Sequence, residues 1–353
     1  MPTAVGPSTG FDRERTMTTS LPTTMTAIVS PRALPISDES SLVETTVAIP
    51  ALRPHDILVR VEAVSVNPVD VKTRAAAHDS PKTLGYDAAG TVVAIGPQVQ
   101  TYAVGDEVYY AGSILRPGSN ADYQAVDERI VGRKPRTLGF ADAAAMPLTT
   151  ITAWEVLFDR LGLTASSTGT LLVVAAAGGV GSILTQLANH LTKATIIGTA
   201  SRPESSAFAT SMGADHVIDH HGDLAAAVQA IAPAGTDWIF SPHTASNLDA
   251  YAAAGKPFSA VAAIDDPNTL SMAALKNKSM SLHWESMFTR SSLETADMVE
   301  QQRLLTRAAE LLDAGTLVST RTTTLEGFTA ANLREAHRLV EAGDMVGKVV
   351  VAR

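Results

Sequence analysis

Residues 171–182 read LLVVAAAGGVGS, an apolar run that ends in alanine and glycine just where a helical pattern resumes through Ile183, Leu184 and Leu187. Ala176, Gly178 and Gly181 have the A-x-G-x-x-G spacing, with Gly179 and Val180 between the last two. Such a turn is built for an anion. A helix N-terminus presents unpaired backbone N–H groups and a partial positive charge, so a pyrophosphate can sit directly on it. Side chains there would fill the space the phosphate needs, hence the glycines. The spacing matches the dinucleotide fingerprint with alanine at its first position; the plain alternative is a tight strand-to-helix turn without a ligand.

The end of the next strand chooses the dinucleotide. Sites for NAD place an acid there to accept the ribose hydroxyls. This chain has GTASRPE over 198–204, so Ser201 and Arg202 stand at that point. A guanidinium suits a 2′-phosphate that a carboxylate would repel. The expected coenzyme is therefore NADP(H), used as NADPH. Glu204 falls two residues later, in the expected first turn of a helix.

These residues need elements to place them. From Met25 to about Met146 the runs DILVRVEAVSV (56–66), GTVVAIG (90–96) and DEVYYAG (106–112) are β-branched or aromatic and bounded by Gly, Pro and Asp, as in a barrel-like domain. After Thr149 the period changes: 151–163 reads as a helix, and strands near 171–175, 195–199, 216–219, 237–241, 257–263 and 281–284 alternate with helices. That alternation marks a doubly wound parallel sheet. A longer helix over 294–315 follows, then a helix and a final strand whose polarity resembles the first region, to which they are expected to return.

With 353 residues, the chain exceeds one ordinary core. A net charge of −9 argues against nucleic acid or an anionic membrane as partner, because phosphate-rich surfaces demand a concentrated positive field. Without a single cysteine, thiol nucleophiles, disulfides and cysteine-held zinc are excluded, which fits a reducing, cytoplasmic setting. Residues 1–24, rich in Thr, Ser and Pro, read as a flexible tail or the product of an upstream start codon, since Met17 and Met25 follow.

Taken in order, SVNPVD (65–70), LGYDAAG (84–90), GDEVYYAG (105–112), GSNADYQAVDERIVGRKP (118–135), PLTTITAWEVLFDRLG (147–162), AAAGGVGS (175–182), GADHVIDH (213–220) and MVGKVV (345–350) resemble the medium-chain dehydrogenase/reductase superfamily. Within it the chain is similar to the zinc-independent quinone oxidoreductases, and to a bacterial subgroup labelled "zinc-type alcohol dehydrogenase-like". The resemblance implies an α/β fold: a discontinuous, GroES-like, partly open β-barrel domain over 25–147 and 292–353, and a Rossmann domain over 148–291. It also implies a homodimer paired through sheet edges.

In zinc members of this family a Cys, a His and a second Cys hold the metal. The matching positions here are Asn67, Tyr86 and Leu148, with Val69 where a proton-relaying hydroxyl belongs. Zinc needs three or four N, S or carboxylate ligands, so no metal is expected. The implied reaction is hydride transfer from NADPH to quinones or α,β-unsaturated carbonyls; a zinc-dependent alcohol dehydrogenase and a catalytically silent NADPH-binding sensor are the alternatives.

The resemblance also assigns roles. Asn67 faces the nicotinamide and orients a carbonyl or water, or else caps a loop before Pro68. Lys72 stands where many relatives have tyrosine, as proton donor, anion attractor or plain surface charge. Tyr86 replaces the metal-ligating His and points a phenol able to donate at the same spot, or packs as a wall. Tyr110 and Asn120 border the substrate cleft. Thr150 meets the nicotinamide or caps a helix. Ser241 and His243 follow the fourth strand of the sheet, and Ala262 and Ile264 the fifth, where backbone groups meet the nicotinamide amide. Lys348 lies near the coenzyme or is a strand-edge charge.

Overall fold

A computed structural model describes residues 21–353. The tail expected over 1–24 falls almost wholly outside these residues; Thr24 already begins the first strand.

The first half of the chain supplies β1 (Thr24–Ser30), β2 (Val43–Ala48), β3 (Asp56–Ser65), β4 (Lys82–Thr83), β5 (Ala88–Ile95), β6 (Glu107–Tyr110), β7 (Tyr123–Asp127) and β8 (Val131–Arg133). The middle supplies β9 (Thr168–Val173), β10 (Lys193–Thr199), β11 (His216–Ile218), β12 (Thr236–Ser241), β13 (Gly255–Ala263) and β14 (Ser281–Trp284). The last part adds β15 (Arg321–Glu326) and β16 (Lys348–Ala352). The protein is thus an α/β molecule with a GroES-like unit and a parallel Rossmann-like sheet.

The Rossmann-like sheet has the spatial order β11-β10-β9-β12-β13-β14, and each neighbouring pair is parallel. The order reverses between β9 and β12, so a crevice opens beyond their carboxyl ends. Leu172 on β9 sits level with Ile197 on one side and Ile239 on the other. The helix Gly179–Leu191 buries Ile183, Leu184, Leu187 and Ala188, a spacing that puts one apolar stripe against the sheet.

The other unit is a mixed sheet in the order β15-β16-β3-β5-β6-β8, with β7 also paired to β3, beside a three-stranded sheet β2-β1-β4. Late-synthesised β16 lies antiparallel to early β3, with Val351 opposite Val64. One apolar cluster spans both units, with Tyr86, Tyr109, Leu148, Val173, Phe240 and Val350 among its members.

Two helices differ from the sequence expectation. The helix expected over 151–163 starts earlier, at Pro147, and its last turn is a π-helix over Glu155–Arg160. The helix expected from 294 starts at Glu300. Glu294 is held in a left-handed conformation, φ 45°, and Asp297 turns its carboxylate to Arg290 (3.1 Å) instead of continuing a helix. Among the described residues, no helix is long and apolar enough to cross a membrane.

Candidate active site

The glycine-rich turn closes β9 onto the helix Gly179–Leu191 by backbone packing. A Cβ on Gly181 would stand 2.2 Å from the carbonyl oxygen of Ala175, so no side chain fits. Ala175 itself is left-handed, φ 54°, a costly state kept where the chain must turn sharply. Ala176 does not face a ligand with its side chain: its methyl is fully buried and fills the space that Gly198 leaves on β10. Alanine therefore serves in the first fingerprint position because the glycine sits across from it instead. Gly178 has no side-chain cap, and Gly178, Gly179 and Val180 stay half-buried, so the first-turn amides can reach an anion.

Just past β10, Ser201 is half-buried and Arg202 exposed, with Glu204 in the first turn of Pro203–Ser211 as expected. The Arg202 guanidinium donates to the carbonyl of Asp344, just before β16. Gly347 donates its N–H to the carbonyl of Ala177 (2.8 Å), so this turn of the barrel unit leans on the glycine-rich turn.

Beside the glycine-rich turn, four segments converge on one buried network. Lys348 is 4% exposed, and its ammonium donates to Asn67 Oδ1, to Asp87 Oδ2 (3.1 Å) and to the Val66 carbonyl (3.5 Å). Asn67 Nδ2 donates to Asp87 Oδ2 (2.8 Å). Asp87 Oδ1 accepts from the backbone N–H of Leu148 (2.7 Å), holding the start of the helix Pro147–Trp154. Asp70 accepts from the N–H groups of Asn67 (2.9 Å) and Gly85 (3.0 Å). The Lys348 stem packs across Gly179, its Cδ 2.9 Å from where a Cβ would stand. The network thereby ties the barrel to the glycine-rich turn.

Two carboxylates share this dry site with one ammonium. Burial, with Asp87 adding to it, pushes Asp70 up to about 7 against the pull of its N–H donors and Lys348. Burial also raises Asp87, opposed by Lys348 and Asn67. Asn67 is therefore a structural member of the network, with both ends of its amide engaged; it has no free group for a substrate carbonyl, contrary to the sequence expectation. Lys348 points into the network, away from a strand edge.

Tyr86 sits beside the network, 3% exposed, edge-on to Phe288. Its phenol is pushed up to about 12, chiefly by burial and then by Asp70, with Thr73 in hydrogen-bonding contact opposing. At neutral pH it stays protonated and can donate. Asn120 is buried next to Gly85, and neither of its amide atoms has a partner. The neighbouring Ser119 hydroxyl donates to the Asp87 carbonyl (3.3 Å).

Three expected residues are placed elsewhere. Lys72 lies on the outer face of the helix Pro68–Ala75, because the turn that buries Asp70 and Arg74 rotates it outward. Its ammonium pairs with Asp266 (2.7 Å), and both side chains are exposed. Tyr110 is fully buried in the barrel's own core with Val108 and Val131, not in the cleft. Ala262 is paired with Phe240 on one side and His283 on the other, inside the ladder.

Beyond the ladder, Ile264 is half-buried and its N–H donates to the Ser241 carbonyl (3.1 Å). Ser241 spends its hydroxyl on Tyr251 (2.9 Å) and on accepting from Thr244 (3.1 Å). His243 is exposed at the strand's end. Thr150 is fully buried, and its hydroxyl has no partner.

The arrangement fits a dinucleotide. The features such a ligand would satisfy are the bare turn at 178–181 and the orphaned hydroxyl of Thr150, whose neighbour Thr149 lies against Gly179. It does not fit zinc. The positions that hold metal in zinc relatives present an engaged amide, a phenol and a leucine, and both nearby carboxylates are committed to Lys348 and backbone N–H groups. Among the described residues, no group of three or more His, Asp or Glu could hold a metal ion.

Comparison with known proteins identifies the family, in which several relatives carry zinc in their names. A family model described as an alcohol dehydrogenase GroES-like domain matches residues 53–153, and one described as a zinc-binding dehydrogenase matches 212–351. A zinc-type alcohol dehydrogenase-like protein of Staphylococcus aureus (strain COL) is 40% identical over 308 residues, covering 84% of this chain and 90% of the relative. An NADPH-dependent alkenal/one oxidoreductase of Arabidopsis thaliana is 38% identical over 188 residues, half of this chain and 48% of its own. A crystal structure from Rhizobium etli CFN 42, whose name assigns it to the zinc-dependent alcohol dehydrogenases, superposes with a TM-score of 0.90 at 48% identity, covering 94% of this chain and 98% of that one. The chain belongs to the medium-chain dehydrogenase/reductase superfamily.

Proposed function

We propose that the protein is a metal-independent, NADPH-dependent reductase of quinones or α,β-unsaturated carbonyl compounds. The observation that carries this reading is the closed network of Asn67, Asp87 and Lys348 where a metal site would have to be. What remains beside it is Tyr86, a protonated phenol in an apolar wall. Oxidising an alcohol needs its hydroxyl deprotonated by a metal or a general base, and a phenol pushed up to about 12 is a poor base; reducing an activated acceptor needs only a donor for the oxygen on which charge develops.

When bound, NADPH supplies the hydride. The amides of residues 178–181 hold the pyrophosphate, and Arg202 turns from the Asp344 carbonyl to the 2′-phosphate. Thr150 and the backbone at Ile264 orient the nicotinamide end. Tyr86 offers its O–H to the acceptor oxygen, and the Lys348 network keeps the two units in register so that the transfer distance is fixed. The alkenal/one activity in the name of the Arabidopsis relative supports this acceptor class.

The test is turnover of NADPH with a panel of quinones and enones, with and without a chelator. Steady consumption that a chelator leaves unchanged is expected, and Arg202→Met should raise KM for NADPH about tenfold or more while leaving NADH nearly unaffected. Stoichiometric zinc with chelator-sensitive alcohol oxidation would establish the zinc-dependent reading instead. Tight NADPH binding without turnover of any acceptor would mark a silent binding protein.

The same proposal places the protein in the cytoplasm as a homodimer. Strand β14 is the sheet's edge, and Trp284 and Phe258 are exposed beside it. Light scattering should give twice the chain mass, and Trp284→Lys should return it to one.

A further inference from the structure

The segment 285–292, after β14, sends one ring toward Tyr86 and one cation away from it. Phe288 stands edge-on to Tyr86, with ring centroids 5.4 Å apart at 74°. Two residues on, Arg290 meets three carboxylates: Glu155 (2.5 Å), Asp159 (3.0 Å) and Asp297 (3.1 Å). At the start of the segment, Glu285 is fully buried and closed by Arg160 (2.7 Å). The Met287 carbonyl accepts from Gln301 Nε2 (2.5 Å).

Glu155, Asp159 and Arg160 all belong to the π-helical turn Glu155–Arg160. That turn continues the helix whose start is held by Asp87 and which carries the orphaned Thr150 hydroxyl. A π turn is rare and recurs at functional sites. Glu155 is buried, while Asp159 and Asp297 reach solvent, and ion pairs of this kind add little net stability. What the cluster provides is one fixed orientation of the segment it grips. Phe288 is itself only partly buried, and its ring lies against the phenol proposed to donate, which puts it beside the acceptor. An apolar ring there suits the ring or alkyl part of a neutral acceptor.

We propose that Arg290, gripped by Glu155, Asp159 and Asp297, is a positioning residue that holds Phe288 against Tyr86, and that Phe288 thereby limits the bulk of the acceptor. The bulk limit rests on the reductase reading above; the positioning does not.

The test uses the full chain with NADPH, comparing methyl vinyl ketone, a small enone, with 9,10-phenanthrenequinone, a bulky quinone. Phe288→Ala should lower KM for the quinone relative to the enone roughly tenfold, with little change in kcat. Phe288→Trp should shift the ratio the other way. Arg290→Met should follow Phe288→Ala at smaller scale with KM for NADPH unchanged, and Arg290→Lys should restore part of the difference. An unchanged ratio in both Phe288 variants overturns the bulk limit. Equal losses of kcat for both acceptors in Arg290→Met, with the Phe288 variants alone shifting the ratio, overturn the positioning role. Fluorine NMR of protein carrying 4-fluorophenylalanine, with the Phe288 line identified by its absence in Phe288→Leu, reads the positioning without turnover. The Phe288 line should move toward the free amino acid in Arg290→Met; if it keeps its place, the positioning role is overturned. Should the wild type reduce neither acceptor, the reductase reading fails and the bulk limit fails with it, while the fluorine spectrum still decides the clamp.

Discussion

Two neighbouring parts of the site are made from different materials. The proposed anion end is a backbone device, a bare turn whose glycines are set by contacts a few residues away. The proposed acceptor end beside it is a side-chain device in which Asn67, Asp70, Asp87, Leu148 and Lys348 meet from segments up to 281 positions apart. The first tolerates almost no change of shape and depends little on charge. The second is a balance of charges out of water, so its weaknesses are electrostatic.

Breaking that balance should have the largest effect. Lys348→Met leaves Asp87 buried without its cation, and one-sided removal of a buried pair costs about 3–5 kcal/mol. Adding Asp87→Asn should recover much of the loss in thermal unfolding. If the double variant is no more stable than the single one, the network is not held by charge. In the turn itself, Gly181→Ala forces a methyl into the Ala175 carbonyl, and overpacking of this kind costs about 1–3 kcal/mol. It should also abolish NADPH binding, measured by coenzyme fluorescence; unimpaired binding would mean that the turn is not the phosphate site.

The contrast extends to pH. The fold raises Asp70 from 3.8 to about 7, so it favours the protonated carboxyl. Stability from this group is complete below about 4, declines as pH rises through 7, and is gone above it. Asp70→Asn carries no such proton. The wild type should therefore lose melting temperature relative to Asp70→Asn between pH 5 and 8, and parallel curves would show that Asp70 titrates normally. The smallest effect belongs to Lys72→Gln. Exposed pairs such as Lys72–Asp266 contribute about 0–1 kcal/mol, so stability and kcat should barely move; a large fall in kcat would return Lys72 to the chemistry.

Legibility in the sequence followed the same division. The anion end could be read because its geometry is local: apolar run, bare turn, helix. The alternation of strands and helices carried the α/β fold for the same reason. The acceptor end could not be read, because side-chain direction there depends on register. Tyr109 and Tyr110 are adjacent on a strand and so face opposite sides; Tyr109 reaches the cluster between the units and donates to the Leu305 carbonyl (2.5 Å), while Tyr110 is lost in the barrel core. Lys72 was read by its distance from Asn67 along the chain, yet helical rotation turns it outward. One local signal was available: Asn67 and Asp70 have the spacing of an N-cap and its third residue, and Asp70 does accept from the Asn67 N–H. Asp87, Thr73 and Phe288 left no comparable mark.

The contact between β16 and the glycine-rich turn has a consequence for the order of events in the cell. The turn leaves the ribosome about halfway through synthesis, whereas Lys348 and Gly347, which rest on it, emerge only after every other strand described here. A nascent chain can form its parallel sheet early, but the contact that seats β16 on the glycine-rich turn closes only when those late residues arrive, so the two units lock together last.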